Sequence, residues 1–379
     1  MLYRKFNTLN RDVSALGLGT MRFPTVKDGD QTRVDEAKTV ELIRNCIDHG
    51  INYIDTAWPY HNGESEEVVG KALRDGYREK VVLTTKLPCW LIESSADFDK
   101  YLDQQLEKLR TDHVDFYLLH ALFTDRWEKM LSFDVFRWAD RAVKDGRIGS
   151  LGFSFHDSPQ LFTRIVDRYD WGMCQIQYNY LNENVQAGTR GLEYAASKGV
   201  PVVVMEPLLG GFLADPPGEI GKVIRESGKN PVDLALSWLF DRPEVSCVIS
   251  GMSNLEQVEQ NVSIAARAGV GNMSSDDMDI VKEVKKIYRS YHVIPCTKCD
   301  YCQPCPSGVR IPRIFEIYNE SRIEGKHRSG QAMYNWHMKD SEKANNCTGC
   351  KACESHCPQK IGIADWMERI HEELAFKEK

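Results

Sequence analysis

From Ala15 to Ala265, short apolar segments alternate with amphipathic ones without a break, and this alternation restricts the fold more than any other feature of the chain. Ala15–Gly19, Ile51–Ile54, Val81–Lys86, Val114–Leu119, a segment ending at Ser154, Met173–Asn179, Pro201–Glu206 and Val245–Ser250 read as strands. Asp35–His49, Glu64–Leu73, Ala96–Leu109, Phe133–Asp145, Ser158–Tyr169, Thr189–Ser197, Pro231–Asp241 and Leu255–Ala265 read as helices. Strands separated by helices of this length form parallel βα units. Residues 1–13 read as a short antiparallel cover under a barrel, and Ser275–Tyr291 as a further helix across its outside. The 379 residues suit a barrel of about 250 residues with a second part attached.

Three strand ends carry ionisable groups. The first apolar strand of the stretch INYIDTAWPYHNGESEEVVGKAL is closed by Asp55, with Tyr60 five residues on; VVLTTK ends at Lys86 and VDFYLLH at His120. In a parallel barrel all strand C-termini open on one face, where active sites are built, so Asp55, Tyr60, Lys86 and His120 are expected to meet. A free phenol, with a pKa of roughly 10, is a poor proton donor near neutrality. A lysine cation beside it favours the phenolate, and an aspartate keeps that lysine charged and placed. Tyr60 then becomes a usable acid, with His120 holding the oxygen that receives the proton.

These four residues in this order resemble the catalytic tetrad of the aldo-keto reductase family, over a stretch from about Tyr3 to Asn261. The resemblance implies a (β/α)8 barrel, a nicotinamide dinucleotide bound without a Rossmann fold, and hydride transfer to an aldehyde or ketone. It places Gly19, Thr20 and Met21 beside the nicotinamide, together with Asp55, and matches Ser154 and Gln175 to residues that bind its carboxamide. The Asn that usually follows that serine is Phe155 here, and His156 reads as a rim residue. LGLGT is no dinucleotide fingerprint, because Arg22 stands where the third glycine would be.

The loop after Glu206, PLLGGFLADPPGE, has glycines that let backbone approach a ligand. By position it resembles the family's segment over the cofactor pyrophosphate, assigning Glu206, Pro207, Leu208 and Gly210; read on its own it is a turn-rich surface loop. The last strand and helix match the adenosine-phosphate site, through Ser250, Gly251, Ser253 and Gln257, with Gln260 and Asn261 at the adenine. Members that bind NADPH commonly have Lys at the position of Gly251 and Arg at that of Gln257. A 2'-phosphate prefers such cationic partners, so NADP and NAD both stand as candidates, with Arg267 a further cation nearby.

Of the 12 cysteines, Cys46, Cys89, Cys174 and Cys247 are scattered, and the other eight crowd the C-terminal part. Cys296, Cys299, Cys302 and Cys305 precede Pro306; Cys347, Cys350, Cys353 and Cys357 precede Pro358. The second run has the C-x2-C-x2-C-x3-C-P spacing of bacterial ferredoxins, which points to [4Fe-4S] clusters, with two zinc sites of four cysteines each as the alternative. The ferredoxin resemblance assigns Cys296, Cys299, Cys302 and Cys357 to one cluster, and Cys347, Cys350, Cys353 and Cys305 to the other; the first run has one residue fewer before its last cysteine. Ile311–Ser321 and Ile363–Phe376 read as helices around them. The chain is thus expected to comprise a reductase barrel, 1–291, and a small, largely helical ferredoxin-like domain, 292–379.

Composition narrows the function. A hydrophobic share of 42% with 27% charge is that of a soluble globular protein. No run of 18 apolar residues suggests a membrane span, the N-terminus lacks a secretory apolar core, and a net charge of -7 gives no sign of nucleic-acid binding, so a cytoplasmic protein is expected. Hydride transfer moves two electrons and each cluster passes one. A flavin would usually mediate, but no flavin signature is seen. The expected function is carbonyl reduction of a small molecule, with the tail serving a redox partner protein; the alternative is an electron-transfer protein whose barrel senses cofactor or acts as a scaffold. Trp58, Trp90 and Phe123 follow catalytic strand ends and read either as walls of an apolar pocket or as rim aromatics.

Overall fold

The computed structural model describes residues 1–9, 11–29, 31–323 and 325–376. The chain opens with a hairpin, β1 (Tyr3–Lys5) and β2 (Asp12–Ser14), and enters the barrel at β3 (Leu16–Gly19). A second hairpin, β4 (Thr25–Asp28) and β5 (Gln31–Val34), leads to α1 (Glu36–Asp48) and then to β6 (Tyr53–Asp55) and α2 (Ser65–Ala72). Next come β7 (Val82–Leu87), α3 (Ala96–Leu109), β8 (Val114–Leu122), α4 (Thr124–Ser132), α5 (Val135–Lys144), β9 (Ile148–Phe155), α6 (Pro159–Val166), β10 (Met173–Gln177), α7 (Gly188–Ser197) and β11 (Val202–Met205). They are followed by α8 (Gly218–Glu226), α9 (Pro231–Phe240), β12 (Val245–Ser250), α10 (Leu255–Ala266) and α11 (Ser275–Ser290). The cysteine-rich part adds α12 (Ile311–Ile323), α13 (His327–Trp336) and α14 (Ile363–Leu374).

Strands β3, β6, β7, β8, β9, β10, β11 and β12 form a closed parallel barrel in that order, with β12 pairing back onto β3. Its strands are hydrophobic on both faces because the helices cover the outside. Inside, Tyr53, Val82, Phe116, Leu118, Met173, Val203 and Cys247 pack as one core. Phe6, from the turn of the opening hairpin, joins that core, with its ring 5.9 Å from Phe116 and 6.2 Å from Tyr53. Both partners lie near the starts of their strands, so the hairpin covers the N-terminal end as expected. Gly152 lets neighbouring strands close: a Cβ there would stand 2.8 Å from the Met173 carbonyl oxygen and 2.5 Å from a Leu118 methyl.

The structure differs from the sequence reading in several elements. The helix expected over 133–145 is α5, and α4 stands before it as a separate helix; Asp134 breaks the two apart with a left-handed backbone (φ 56°). Strand β8 continues past His120 to Leu122, with a register shift between Leu119 and Leu122 and Ala121 at φ 53°. The hairpin of β4 and β5, α8 and α13 were not foreseen.

Two compact units result. One is Met1–Pro207 with Ala235–Met273; the other is Leu208–Leu234 with Ser274–Lys379. They interleave in sequence where one cut after residue 291 was expected, because α8 packs with α11 and Lys229 pairs with Asp277 (2.7 Å), keeping 208–234 with the cysteine-bearing part. Within that second unit Ile294, Val309, Ile314, Phe315, Tyr334, Met367 and Ile370 form a core of their own. Gly210 (φ 63°) lies so close to the chain beside Cys296 that a Cβ on it would stand 2.6 Å from the Thr297 carbonyl oxygen.

Candidate active site

Lys86 rises from β7, all six residues of which are buried. Alternation turns Thr85 outward to α2 and α3 and Lys86 inward. The Lys86 ammonium donates to Asp55 Oδ1 (2.5 Å), to the Thr56 carbonyl (2.8 Å) and to the Tyr60 hydroxyl (3.4 Å), so its three protons have three acceptors. Both Lys86 and Asp55 side chains are 1% exposed. Burial lowers the Lys86 pKa from its ordinary value, and the Asp55 charge and hydrogen bond pull it back up. Asp55 closes β6, in register with Gly19 of β3 and Thr84 of β7. Its other oxygen, Oδ2, accepts from Gln175 Nε2 (2.9 Å).

Tyr60 opens a tight turn, Tyr60–Gly63, in which His61 and Asn62 both have positive φ. Its ring meets that of His120 edge-on, 6.0 Å between centroids. Burial, and after it the charges of Lys86, Arg126 and His156, push the His120 pKa well below its ordinary value. His120 is therefore a neutral imidazole at physiological pH, a hydrogen-bonding group rather than a cation.

Asp55, Lys86 and His120, on the adjacent strands β6, β7 and β8, are thus brought together with Tyr60 of the turn after β6, and Gln175 of β10 reaches Asp55 from across the barrel. Ser154 is close by: its Oγ accepts from the Ala121 backbone N–H (2.7 Å). Thr20 is bonded by Ser65 (2.8 Å), behind Gly19 and beside the half-buried Met21. Glu206 follows β11 with φ 57°, its carbonyl held by Asn179 Nδ2 (3.1 Å), and Pro207 is buried. After β12, Ser250 Oγ accepts from Asn261 (3.2 Å), and the Ser253 N–H donates to Gln257 Oε1 (2.8 Å) while its hydroxyl donates to the Arg22 carbonyl (2.9 Å). A Cβ on Gly251 would stand 2.9 Å from Arg22 Cγ, so an arginine stem fills the space where a side chain at 251 would begin. Gln260 is half-buried. Leu208 and Gly210 belong to the other compact unit.

Sequence reasoning missed a polar layer behind Lys86. Glu66 of α2 is fully buried and accepts from Thr85 (2.6 Å) and from Gln105. The same Gln105 amide donates to the Lys86 carbonyl (3.1 Å), and Tyr117 donates to its other end (2.6 Å). These bonds fix the backbone of Lys86 from outside the barrel. Glu66 resembles any acid of an exposed helix face, so only the register of TTK, with Thr85 outward, signals the layer. Of the aromatics, Trp90 stands 5.3 Å from the His120 ring and Phe123 6.3 Å from that of His156, whereas Trp58 turns onto Tyr101 of α3 (5.0 Å).

In the second unit, burial and then the neighbouring thiols of Cys299, Cys296 and Cys357 push the Cys302 thiol up. Cys353 is pushed up to about 11, by burial and, among its neighbours, by Cys347 and Cys305. The thiols thus sense one another across the two runs: Cys357 stands with the first set and Cys305 with the second. Among the described residues no three His, Cys, Asp or Glu side chains converge tightly enough for a single metal ion. Thiols grouped in two sets of four, each drawing on both runs, supply the all-thiolate ligand set of an iron-sulfur site.

A parallel (β/α)8 barrel with a buried Asp–Lys pair beneath a half-buried Tyr at its mouth is the framework of a barrel enzyme. The aldo/keto reductase family pattern matches residues 15–286, and a 4Fe-4S dicluster domain pattern matches 295–361. The chain belongs to the aldo/keto reductase family and is an oxidoreductase with a C-terminal 4Fe-4S domain. It is 28% identical over 300 residues to L-galactose dehydrogenase of Arabidopsis thaliana, covering 73% of this chain and 90% of that one. It is 24% identical over 329 residues to an NADH-specific methylglyoxal reductase of Escherichia coli, covering 73% and 96%. Among solved structures it resembles the holo form of an aldo-keto reductase from Bacillus halodurans (TM-score 0.63, 26% identity, 75% of this chain and 96% of that one). An aldo-keto reductase from Klebsiella pneumoniae in complex with NADPH matches with a TM-score of 0.60 at 25% identity, over 75% and 96%.

Proposed function

We propose that the barrel reduces an aldehyde or ketone to an alcohol with NADPH or NADH, Tyr60 supplying the proton. The observation that carries this reading is the chain from buried Asp55 through buried Lys86 to half-buried Tyr60, with contacts of 2.5 and 3.4 Å. The dinucleotide, when bound, supplies the hydride. Asp55 balances the Lys86 charge in a site from which water is excluded, and Lys86 favours the phenolate left when Tyr60 gives up its proton. Neutral His120 orients the carbonyl oxygen towards Tyr60. Gly19, Thr20, Met21, Ser154, Gln175, Glu206, Pro207, Ser250, Gly251, Ser253, Gln257, Gln260 and Asn261 are our candidate cofactor contacts. Gln175 fits its role less simply, because its amide already donates to Asp55.

We assign Cys296, Cys299, Cys302 and Cys357 to one [4Fe-4S] cluster and Cys347, Cys350, Cys353 and Cys305 to a second, supported by the grouping of the thiols. Clusters held there would carry electrons one at a time, which suits exchange with a redox partner protein. We place the boundary of the functional modules at 291/292, between the two family matches. Twelve free cysteines suit the reducing cytoplasm.

The test is transfer of label. Protein incubated under argon with 4-deuterated NADPH or NADH and a panel of aldehydes should yield alcohol carrying deuterium on the carbinol carbon. Dinucleotide oxidation without deuterium in any alcohol contradicts direct hydride transfer.

A further inference from the structure

Lys108 lies near the end of α3, outside the barrel, and no step of the proposed reaction uses it. Its side chain is only 23% exposed, because the ammonium is drawn onto the stretch that carries Tyr60 into α2. It donates to the Gly63 carbonyl (3.4 Å), lies over the Trp58 ring (4.0 Å to the centroid) and faces Glu66 Oε2 (3.7 Å), the oxygen that has no hydrogen bond of its own. Trp58 stands before Tyr60 and Gly63 after it, so one cation holds both arms of the turn.

That turn needs holding. His61 and Asn62 both have positive φ, a backbone that costs free energy in residues other than glycine and persists where the surroundings over-determine it. Tyr60 is half-buried, and its 3.4 Å contact with the Lys86 ammonium depends on where the turn lies. On α3, Tyr101, Gln105 and Lys108 are spaced four and then three residues apart, which puts them on one helical face. Tyr101 meets the Trp58 ring edge-on (5.0 Å), Gln105 donates to the Lys86 carbonyl (3.1 Å), and Lys108 takes Trp58 and Gly63. The same face therefore fixes both ends of the contact that makes the phenol acidic. Burial raises the pKa of Glu66, which the Thr85 and Gln105 hydrogen bonds and then the charges of Lys108 and Lys86 oppose, so Lys108 also balances the acid beneath the turn.

We propose that Lys108 is a positioning residue for the general acid: by joining Trp58, Gly63 and Glu66 to α3 it holds the Tyr60 hydroxyl at the Lys86 ammonium, and without it hydride transfer slows although the dinucleotide still binds. This rests on the reductase reading of Tyr60. The sequence offers nothing to mark the residue, since QLEKLR reads as one more charged helix turn.

Single-turnover rates of the full-length protein test it. With dinucleotide bound and carbonyl in excess, dinucleotide oxidation in Lys108→Met should be about 10- to 100-fold slower than in wild type, the range for a reacting group displaced by up to about 1 Å, while the dinucleotide Kd stays within a few-fold. Lys108→Arg, which keeps a cation over Trp58, should recover most of the rate. In a Tyr60→Phe background Lys108→Met should have almost no further effect, since no phenol is left to place. A Lys108→Met rate within a few-fold of wild type overturns the proposal, and so does an equal loss in both backgrounds, which a merely structural role would give. If Lys108→Met does not fold, because Glu66 is left buried without its cation, the double variant Glu66→Gln/Lys108→Met carries the test: a slow rate supports the proposal and a wild-type rate overturns it. If no carbonyl oxidises the bound dinucleotide in wild type, the reductase reading fails and the proposal with it; a fast Lys108→Met in an active enzyme removes the proposal alone.

Discussion

Lys86 was legible from the sequence as the end of a buried strand, and so were Asp55 and His120, because an ionisable side chain closing an apolar run has few bland explanations. What could not be read was the set of groups that hold them. Glu66 and Gln105 sit in helices whose outward residues are also charged, and a helix face alone does not say which acid or amide turns inward. The same limit applies to His156, expected at the rim and found buried, with Nδ1 3.2 Å from Gln186 Oε1. Burial, the largest influence, brings its pKa down to about 4. In the unfolded chain a histidine titrates near 6.5, so between these values the unfolded state binds more protons and stability falls as pH falls. The loss begins as pH drops through about 6.5 and amounts to about 2 kcal/mol by pH 5. His120, depressed for the same reason, acts in the same direction. The urea midpoint of the wild type is expected to fall from pH 7 to pH 5, and that of His156→Gln to fall less; equal pH dependence in the two would refute the assignment.

At the scale of elements, the sequence marks helix beginnings well where a cap carries them. Asp35 accepts from the Lys38 N–H, Ser158 precedes a proline and bonds the Leu161 N–H, and Ser274 with Asp277 makes a reciprocal capping box. Elements without such marks were lost. The β4–β5 hairpin carries mostly polar side chains, α8 follows a Pro/Gly-rich approach that reads as loop, and α4 begins at Thr124 with no side-chain cap of its own. Packing between α2 and α3 gives an element-scale prediction. Gly70 lies inside α2, where alanine would gain about 1 kcal/mol of helix propensity. A Cβ there, however, would stand 2.5 Å from the Lys108 carbonyl oxygen and 2.7 Å from the Leu109 carbonyl carbon, both backbone atoms that no rotamer change can move. Overpacking of that kind costs about 1–3 kcal/mol and should win. Gly70→Ala is expected to lower Tm and, since α2 follows the Tyr60 turn, to lower kcat as well. A raised Tm would mean that the helices separate without cost.

At the scale of the molecule, spacing in sequence told more about the cysteines than about the division of the chain. Two runs ending in Cys-Pro are a local pattern, whereas the retention of 208–234 in the cysteine-bearing unit depends on contacts between segments far apart in sequence, such as Lys229 with Asp277. If the thiols hold two cubanes, anaerobically purified protein should contain roughly eight irons and eight sulfides per chain, with broad visible absorption that dithionite bleaches. Zinc without sulfide would remove the electron-transfer half of the account. The reductase half rests on the phenol of Tyr60 next to a buried ammonium, and the most direct measurement is the steady-state kcat of Tyr60→Phe on the best carbonyl substrate, with dinucleotide binding checked by fluorescence titration. Loss of a positioned general acid should lower kcat by about 10²- to 10⁴-fold while the dinucleotide still binds; a kcat within a few-fold of wild type would contradict the assignment of the proton donor.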